Sequence, residues 1–164
     1  MTLVQSFLSK HRGKQILLDA NLWILLLVGN KDKSKISADK RINSYTEKDF
    51  DILKAFIGYF KLVATPNILT EVSNLTNDVN DESKQNLLEY FGKLIEIIDE
   101  NYVPSKSVNI QALRKFGLSD SVIFNLAKSG MPVLTADFPL YGYLSSQGLN
   151  VLNFNHIRTE YLIA

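Results

Sequence analysis

Four carboxylates sit in stretches whose patterns suit chemistry: Asp19 in QILLDANLWILLLVG, Glu71 in TPNILTEVSNL, Asp120 in GLSDSVIFNLAK and Asp137 in PVLTADFPL. Asp19 interrupts the most apolar run of the chain, with Asn21 two residues on. A buried, unpaired carboxylate shifts its pKa or acquires a partner. Two like charges about 4 Å apart repel by roughly 4 kcal/mol at an effective dielectric of 20. A pocket holding four carboxylates therefore needs protons or cations. The donors on offer are oxygens, because the chain has no cysteine and its two histidines, His11 and His156, lie far apart in sequence. Oxygen donors match Mg²⁺ or Mn²⁺. Two such ions, about 3.5–4 Å apart, clamp a phosphodiester, polarise it and generate hydroxide from bound water.

That chemistry requires elements that bring the four acids to one place. QILL is a short apolar run between polar neighbours, which predicts a buried parallel strand over 15–18, and LWILLLV then turns into a helix that Gly29 and Asn30 stop. A helix over 3–11, ended by Gly13, precedes the strand. Residues 30–45 are polar and mixed in charge and read as a long mobile loop. Thr46 with Asp49 reads as an N-cap and acidic third position before a stripe of Phe50, Leu53, Phe56, Ile57 and Phe60. Leu62 to Ala64 is a short strand, and Thr65-Pro66 opens a helix to about Asn77. A helix over 83–99 and another over 107–116 follow. Ser119 caps a helix that runs to about Ser129. Pro132 to Thr135 is a strand, Phe138 to Gln147 a helix, and Asn150 to Phe154 a last strand.

This alternation predicts an α/β fold: a parallel sheet of about four to five short strands with helices on both faces. In such sheets functional residues gather beyond the carboxyl ends of the strands. Asp19 and Asp137 follow strands, Asp120 opens a helix, and Glu71 lies a turn and a half into one. Taken singly, each has a plain structural role: Asp19 and Asp137 as helix caps, Asp120 as a first-turn charge worth about 0.3–1 kcal/mol, Glu71 on a solvated face. Their joint occurrence on one side of the sheet gives the metal reading its weight.

In their order along the chain, LLDANLWILL, TPNILTEVSNL, GLSDSVIFNLAK and PVLTADFPL resemble the PIN-domain nucleases, over residues 15–154. That pattern has an Asp after the first strand, a mid-chain Glu in a helix, and two later Asp residues near a TxD-like strand end. The resemblance implies a PIN-like domain over residues 1–164, with metal-dependent cleavage of RNA and Asp19, Glu71, Asp120 and Asp137 as ligands of Mg²⁺ or Mn²⁺. Asn21 and Thr135 match positions whose small polar side chains orient a ligand or a water. In the small toxin-like members the resemblance also implies an antitoxin-like protein partner and a homodimer. Two features depart from the pattern: the loop over 30–45 is longer, and Pro139 stands where related nucleases supply an extra polar or acidic residue.

At 164 residues, 46% hydrophobic and 21% charged, the chain suits one domain of ordinary soluble composition. A net charge of +1 gives no global field for nucleic acid, so any phosphate contacts are local. Lys106, Arg114 and Lys115 precede Asp120 and are the candidates. Lys31, Lys33, Lys35, Lys40 and Arg41 in the long loop are interrupted by acids and read as solvated charge. Tyr141 and Tyr143, after Asp137, either stack on bases or cover the sheet. The amino-terminal apolar portion is too short and broken for a secretory signal, and no run approaches the roughly 20 apolar residues of a membrane span, which points to the cytoplasm.

Two other functions compete with the nuclease. One is a catalytically idle PIN-like module that binds RNA or a protein, since fold alone never secures activity. The other is an aspartyl phosphotransferase of the haloacid-dehalogenase kind, which wants a second Asp where this chain has Asn21. The Gly-rich phosphate-loop motifs do not occur.

Overall fold

Among the described residues five short parallel strands form one sheet in the order β3-β2-β1-β4-β5: β1 Gln15–Leu18, β2 Lys61–Ala64, β3 Asp99–Glu100, β4 Val133–Thr135 and β5 Val151–Asn153. The computed structural model describes residues 1–76 and 81–163, without the side chains of 81–84, 162 and 163. Successive strand residues point to opposite faces of a sheet. Ile16, Leu17 and Leu18 are all fully buried, as are Val133, Leu134 and Thr135, so both faces are covered. The α/β architecture expected from the sequence is therefore the one observed.

The helices are α1 Leu3–His11, α2 Ala20–Asp32, α3 Glu47–Ile57, α4 Pro66–Thr76, α5 Asp81–Ile95, α6 Ile110–Phe116, α7 Leu118–Lys128, α8 Phe138–Ser146 and α9 Phe154–Ile163. Among the described residues no helix is long and apolar enough to cross a membrane. Most helix starts follow local chemistry. Thr46 and Asp49 form a reciprocal capping box on α3, and the Thr65 hydroxyl accepts from the Ile68 amide at 3.1 Å. α2 is apolar nearly all round because it is buried nearly all round, against α3, α4 and α5.

The strand order reverses at β1. From β1 the chain moves to β2 and β3 on one side, then returns to place β4 and β5 on the other. Such a reversal opens a crevice at the carboxyl ends of the two diverging strands. Leu17 pairs in register with Val133 and Leu18 with Leu134, so the crevice begins at Asp19 and Thr135.

Several elements differ from the sequence reading. α2 runs through Gly29 and Asn30 to Asp32. Gly29 is no stop signal: it is buried, and a Cβ there would collide with the Phe50 ring of α3, so glycine admits close packing of the two helices. Residues 33–45 are not a loose loop. Lys33–Ala38 is a 3-10 helix, Ile36 and Ile42 are fully buried, and Arg41 holds Asp39 and the Leu75 carbonyl of α4. The polar residues hid two core anchors.

α5 stops at Ile95, and the exposed pair Asp99–Glu100 forms edge strand β3 beside Val63 and Ala64. A two-residue strand with both side chains exposed carries no apolar alternation. α6 begins at Ile110 rather than 107, with a 3-10 turn over Ser105–Ser107 before it. α7 is preceded by Gly117 at φ 84°, so Ser119 lies inside the helix and does not cap it. β5 ends at Asn153, and Phe154 opens α9 instead of ending the strand. Asn77, the expected end of α4, lies outside the described residues.

Candidate active site

Asp19 is held at the start of the crevice from three directions. It is the N-cap of α2, with Oδ1 accepting from the Leu22 amide at 3.0 Å. Its Oδ2 accepts from the Ala136 amide at 2.7 Å and from the Thr135 hydroxyl. Only 6% of the residue is exposed. Burial pushes its carboxyl up; the Thr135, Leu22 and Ala136 bonds pull it back, and the Asp137 charge adds to the rise.

Thr135 ties the two strand ends together. Its hydroxyl donates to Asp19 and accepts from the Asp137 amide at 3.0 Å. Asp137 is exposed and caps α8, with Oδ1 accepting from the Leu140 amide at 2.7 Å. Its capping role and its place beside Asp19 are compatible, because the second carboxylate oxygen is left over.

Asp120 lies half-buried in the first turn of α7, and Glu71 is exposed on α4, which packs against α7. The four acids share one electrostatic neighbourhood. Asp120 is pushed up to about 7, first by burial and then by the charges of Glu71, Asp19 and Asp137, and nothing acting on it pulls the other way. The crevice thus gathers carboxylates from the ends of β1 and β4 and from α4 and α7, and among the described residues no cation offsets their effect on Asp120.

This donor set fits a hard divalent cation, which would remove the repulsion acting on Asp120. As placed, no three Asp, Glu or His side chains among the described residues stand close enough together to hold an ion. The charges of Glu71, Asp19 and Asp137 reach Asp120, and that of Asp137 reaches Asp19, but no three of these acids form a group close enough to hold an ion.

Of the two small polar residues, Thr135 bonds Asp19 directly. Asn21 is exposed on the first turn of α2 and supplies none of the hydrogen bonds to Asp19. Lys106, Arg114 and Lys115 are all exposed. Lys115 lies over the rings of Phe116 and Tyr143, 5.2 Å from each centroid, and the structure shows no contact between these three cations and the acids. Tyr143 packs between Phe116 and Phe124, and Tyr141 meets His156 edge-on at 5.1 Å. Both rings therefore pack against neighbouring helices and stay partly exposed. Trp23 is core. In the long loop, Lys33 pairs with Asp51 and Arg41 with Asp39, so two of the five cations are neutralised within the fold.

Two features escaped the sequence reading. Tyr45, at the end of the polar segment, is buried, and the charge of Asp19 acts on its hydroxyl. Arg158 of α9 forks onto Asp49 of α3 through Nε at 2.7 Å and Nη2 at 3.0 Å. The available signal for α9 was Phe154, Ile157 and Tyr161 at helical spacing; nothing local signalled where Tyr45 goes.

No family model matches this chain, and no curated protein does. Among solved structures it is similar to the crystal structure of PAE2754 from Pyrobaculum aerophilum, with a TM-score of 0.53 and 13% sequence identity, over 92% of this chain and 96% of that one. The likeness is one of fold.

Proposed function

We propose that the chain is a metal-dependent endoribonuclease of the PIN kind, acting in the cytoplasm, with Asp19, Glu71, Asp120 and Asp137 as the ligands of Mg²⁺ or Mn²⁺. One observation carries the reading: burial and three neighbouring carboxylates push Asp120 up to about 7, with nothing to offset them. A protein gains nothing in stability from gathering like charges in a crevice, whereas a site that takes a cation needs them. When bound, the metal would supply a nucleophilic hydroxide from water and charge stabilisation on the phosphorane oxygens.

The chain's own residues do the rest. Thr135 and the Leu22 and Ala136 amides fix both oxygens of Asp19, which preorganises the centre. Asp137 is oriented by its cap on α8, and α4 and α7, packed together, contribute Glu71 and Asp120. RNA is the proposed substrate, with Lys106, Arg114 and Lys115 as phosphate contacts away from the carboxylates. An antitoxin-like protein and a second copy of the chain are the partners this reading brings with it.

A second reading is an idle module of the same fold that binds RNA or a protein. It is favoured by the spacing of the acids, none of which form a group of three close enough to hold an ion. Calorimetric titration with Mn²⁺ decides between the two. The nuclease reading expects binding by the wild type that is lost in Asp19→Asn and in Asp137→Asn. No binding by the wild type at millimolar Mn²⁺ favours the idle module, and binding that survives both substitutions means other groups hold the ion.

A further inference from the structure

On the side of α2 that faces α3 and α5, the helices leave a partly open cavity of about 130 Å³ against β2. Its walls are Trp23, Leu26 and Leu27 of α2, Ile57 of α3, Leu62 of β2 and Leu94 of α5. Asn30 also lines it, about 16 Å along α2 from Asp19 at a rise of 1.5 Å per residue. Ile57 ends α3 just before β2 begins, and Leu62 lies in the first half of that strand. The cavity thus reaches toward the amino ends of the strands, whereas the acidic crevice lies at their carboxyl ends.

Two polar groups distinguish this cavity from a packing defect. Trp23 is 1% exposed, and its indole N–H has no hydrogen-bond partner among the described residues. A buried donor left unpaired calls for a physical reason. A lone water is a poor one, since it wants about two to four polar partners and the walls around Trp23 are leucine and isoleucine. The rim is different: Asn30 and Lys54 are both exposed there. The Lys54 ammonium donates to Asn30 Oδ1 at 3.1 Å and lies 5.6 Å from the Phe50 ring centroid, so it is held beside the opening. Among the described residues no carboxylate pairs with it.

We propose that this cavity is a second binding site, for a small aromatic carboxylate whose ring enters among the apolar side chains and whose carboxylate meets Lys54 at the rim. The size suits one ring, since an apolar cavity of about 150 Å³ takes up benzene. The single cation at the opening matches a monoanion and leaves the larger charge of a phosphate uncompensated. An aromatic occupant also serves the indole, because the negative face of a ring accepts an N–H and an alkyl chain does not. The site is independent of the nuclease reading.

The test titrates benzoate into the full chain and reads the emission of Trp23, its sole tryptophan, with calorimetry alongside. Benzamide serves as the neutral counterpart. The expected result is saturable benzoate binding that changes the emission and weakens about three- to tenfold in Lys54→Met, the span from an exposed ion pair to a charge-assisted hydrogen bond. Benzamide is expected to bind wild type more weakly than benzoate does, and both proteins equally. No saturable binding by either method up to about 10 mM benzoate overturns the site. Calorimetric binding that leaves the emission of Trp23 unchanged overturns its location. Equal benzoate affinity in wild type and Lys54→Met overturns the carboxylate contact, and cyclohexanecarboxylate binding as tightly as benzoate overturns the part given to the ring.

Discussion

At Asp120, burial and three neighbouring carboxylates act in one direction, so the cation-free protein holds a proton there up to about pH 7, whereas the unfolded chain releases it near 3.8. Between those values the folded state binds more protons than the unfolded one, and stability must fall as pH rises. Asp19, also raised, adds the same sign. Asp120→Asn removes its own share. In chelator at pH 8 this variant is expected to be more stable than wild type by on the order of 2 kcal/mol, a figure reduced for solvent screening at a half-exposed site, and equal to it near pH 4. Urea unfolding at both pH values measures this. At Thr135 the expectation is opposite. Thr135→Val strands the Asp137 amide and removes a bond to Asp19, costing about 1–3 kcal/mol and lowering Mn²⁺ affinity by roughly 10–100-fold, while Thr135→Ser keeps both bonds. Asp19 and Asp137 were legible in the sequence because each follows a strand, and Asp120 because it opens a helix; Glu71, inside α4, and Thr135, the last residue of β4, were picked out only by the order of the four stretches. Tyr45 was not, because its burial depends on how 33–45 folds and leaves no local pattern.

Two contacts between elements set how α2, α3 and α9 enclose the core. Gly29 lets α2 approach Phe50, and alanine there would drive a methyl into that ring. Helix propensity alone favours Gly29→Ala by about 1 kcal/mol. Overpacking in a dense core costs about 1–3 kcal/mol, so the net expected from chemical denaturation is a loss. The Asp49–Arg158 fork carries an acid dependence. Burial raises the Asp49 carboxyl, but Arg158 and Thr46 outweigh it and hold the group below its usual 3.8. A lowered carboxylate stabilises above the unfolded pKa and loses that contribution as pH falls through the folded one. Arg158→Met is therefore expected to lower stability by about 2–3 kcal/mol at neutral pH and to flatten the decline below about pH 4. Sequence reading found the capping box at Thr46 and Asp49 but not the fork, because the partner lies 109 residues away. It misjudged Gly29 for a related reason: a glycine that ends a helix and one that admits a neighbour look alike until the neighbour is known.

Over the whole molecule, the sheet order decides where like charges meet. β1 lies between β2 and β4, so the chain's reversal opens a crevice at Asp19 and Thr135, and α4 and α7, packed together, bring Glu71 and Asp120 to it. Alternating apolar strands and helices made this architecture legible, except at β3, whose two exposed acidic residues show no strand signal. The spacing of the acids was not legible, since it depends on helix packing rather than on periodicity. A divalent cation that binds only the folded state stabilises it by RT ln(1 + [L]/Kd), about 2.7 kcal/mol at a hundredfold excess over Kd. For a chain of this length that corresponds to roughly 5–10 °C in thermal midpoint. Binding must displace the proton on Asp120, so the shift has to be smaller below about pH 6 than at pH 8. Thermal unfolding with and without Mn²⁺ at the two pH values measures that difference. A midpoint shift independent of pH would mean that Asp120 is not a ligand, whereas one that grows with pH and vanishes in Asp120→Asn ties the ion to the crevice.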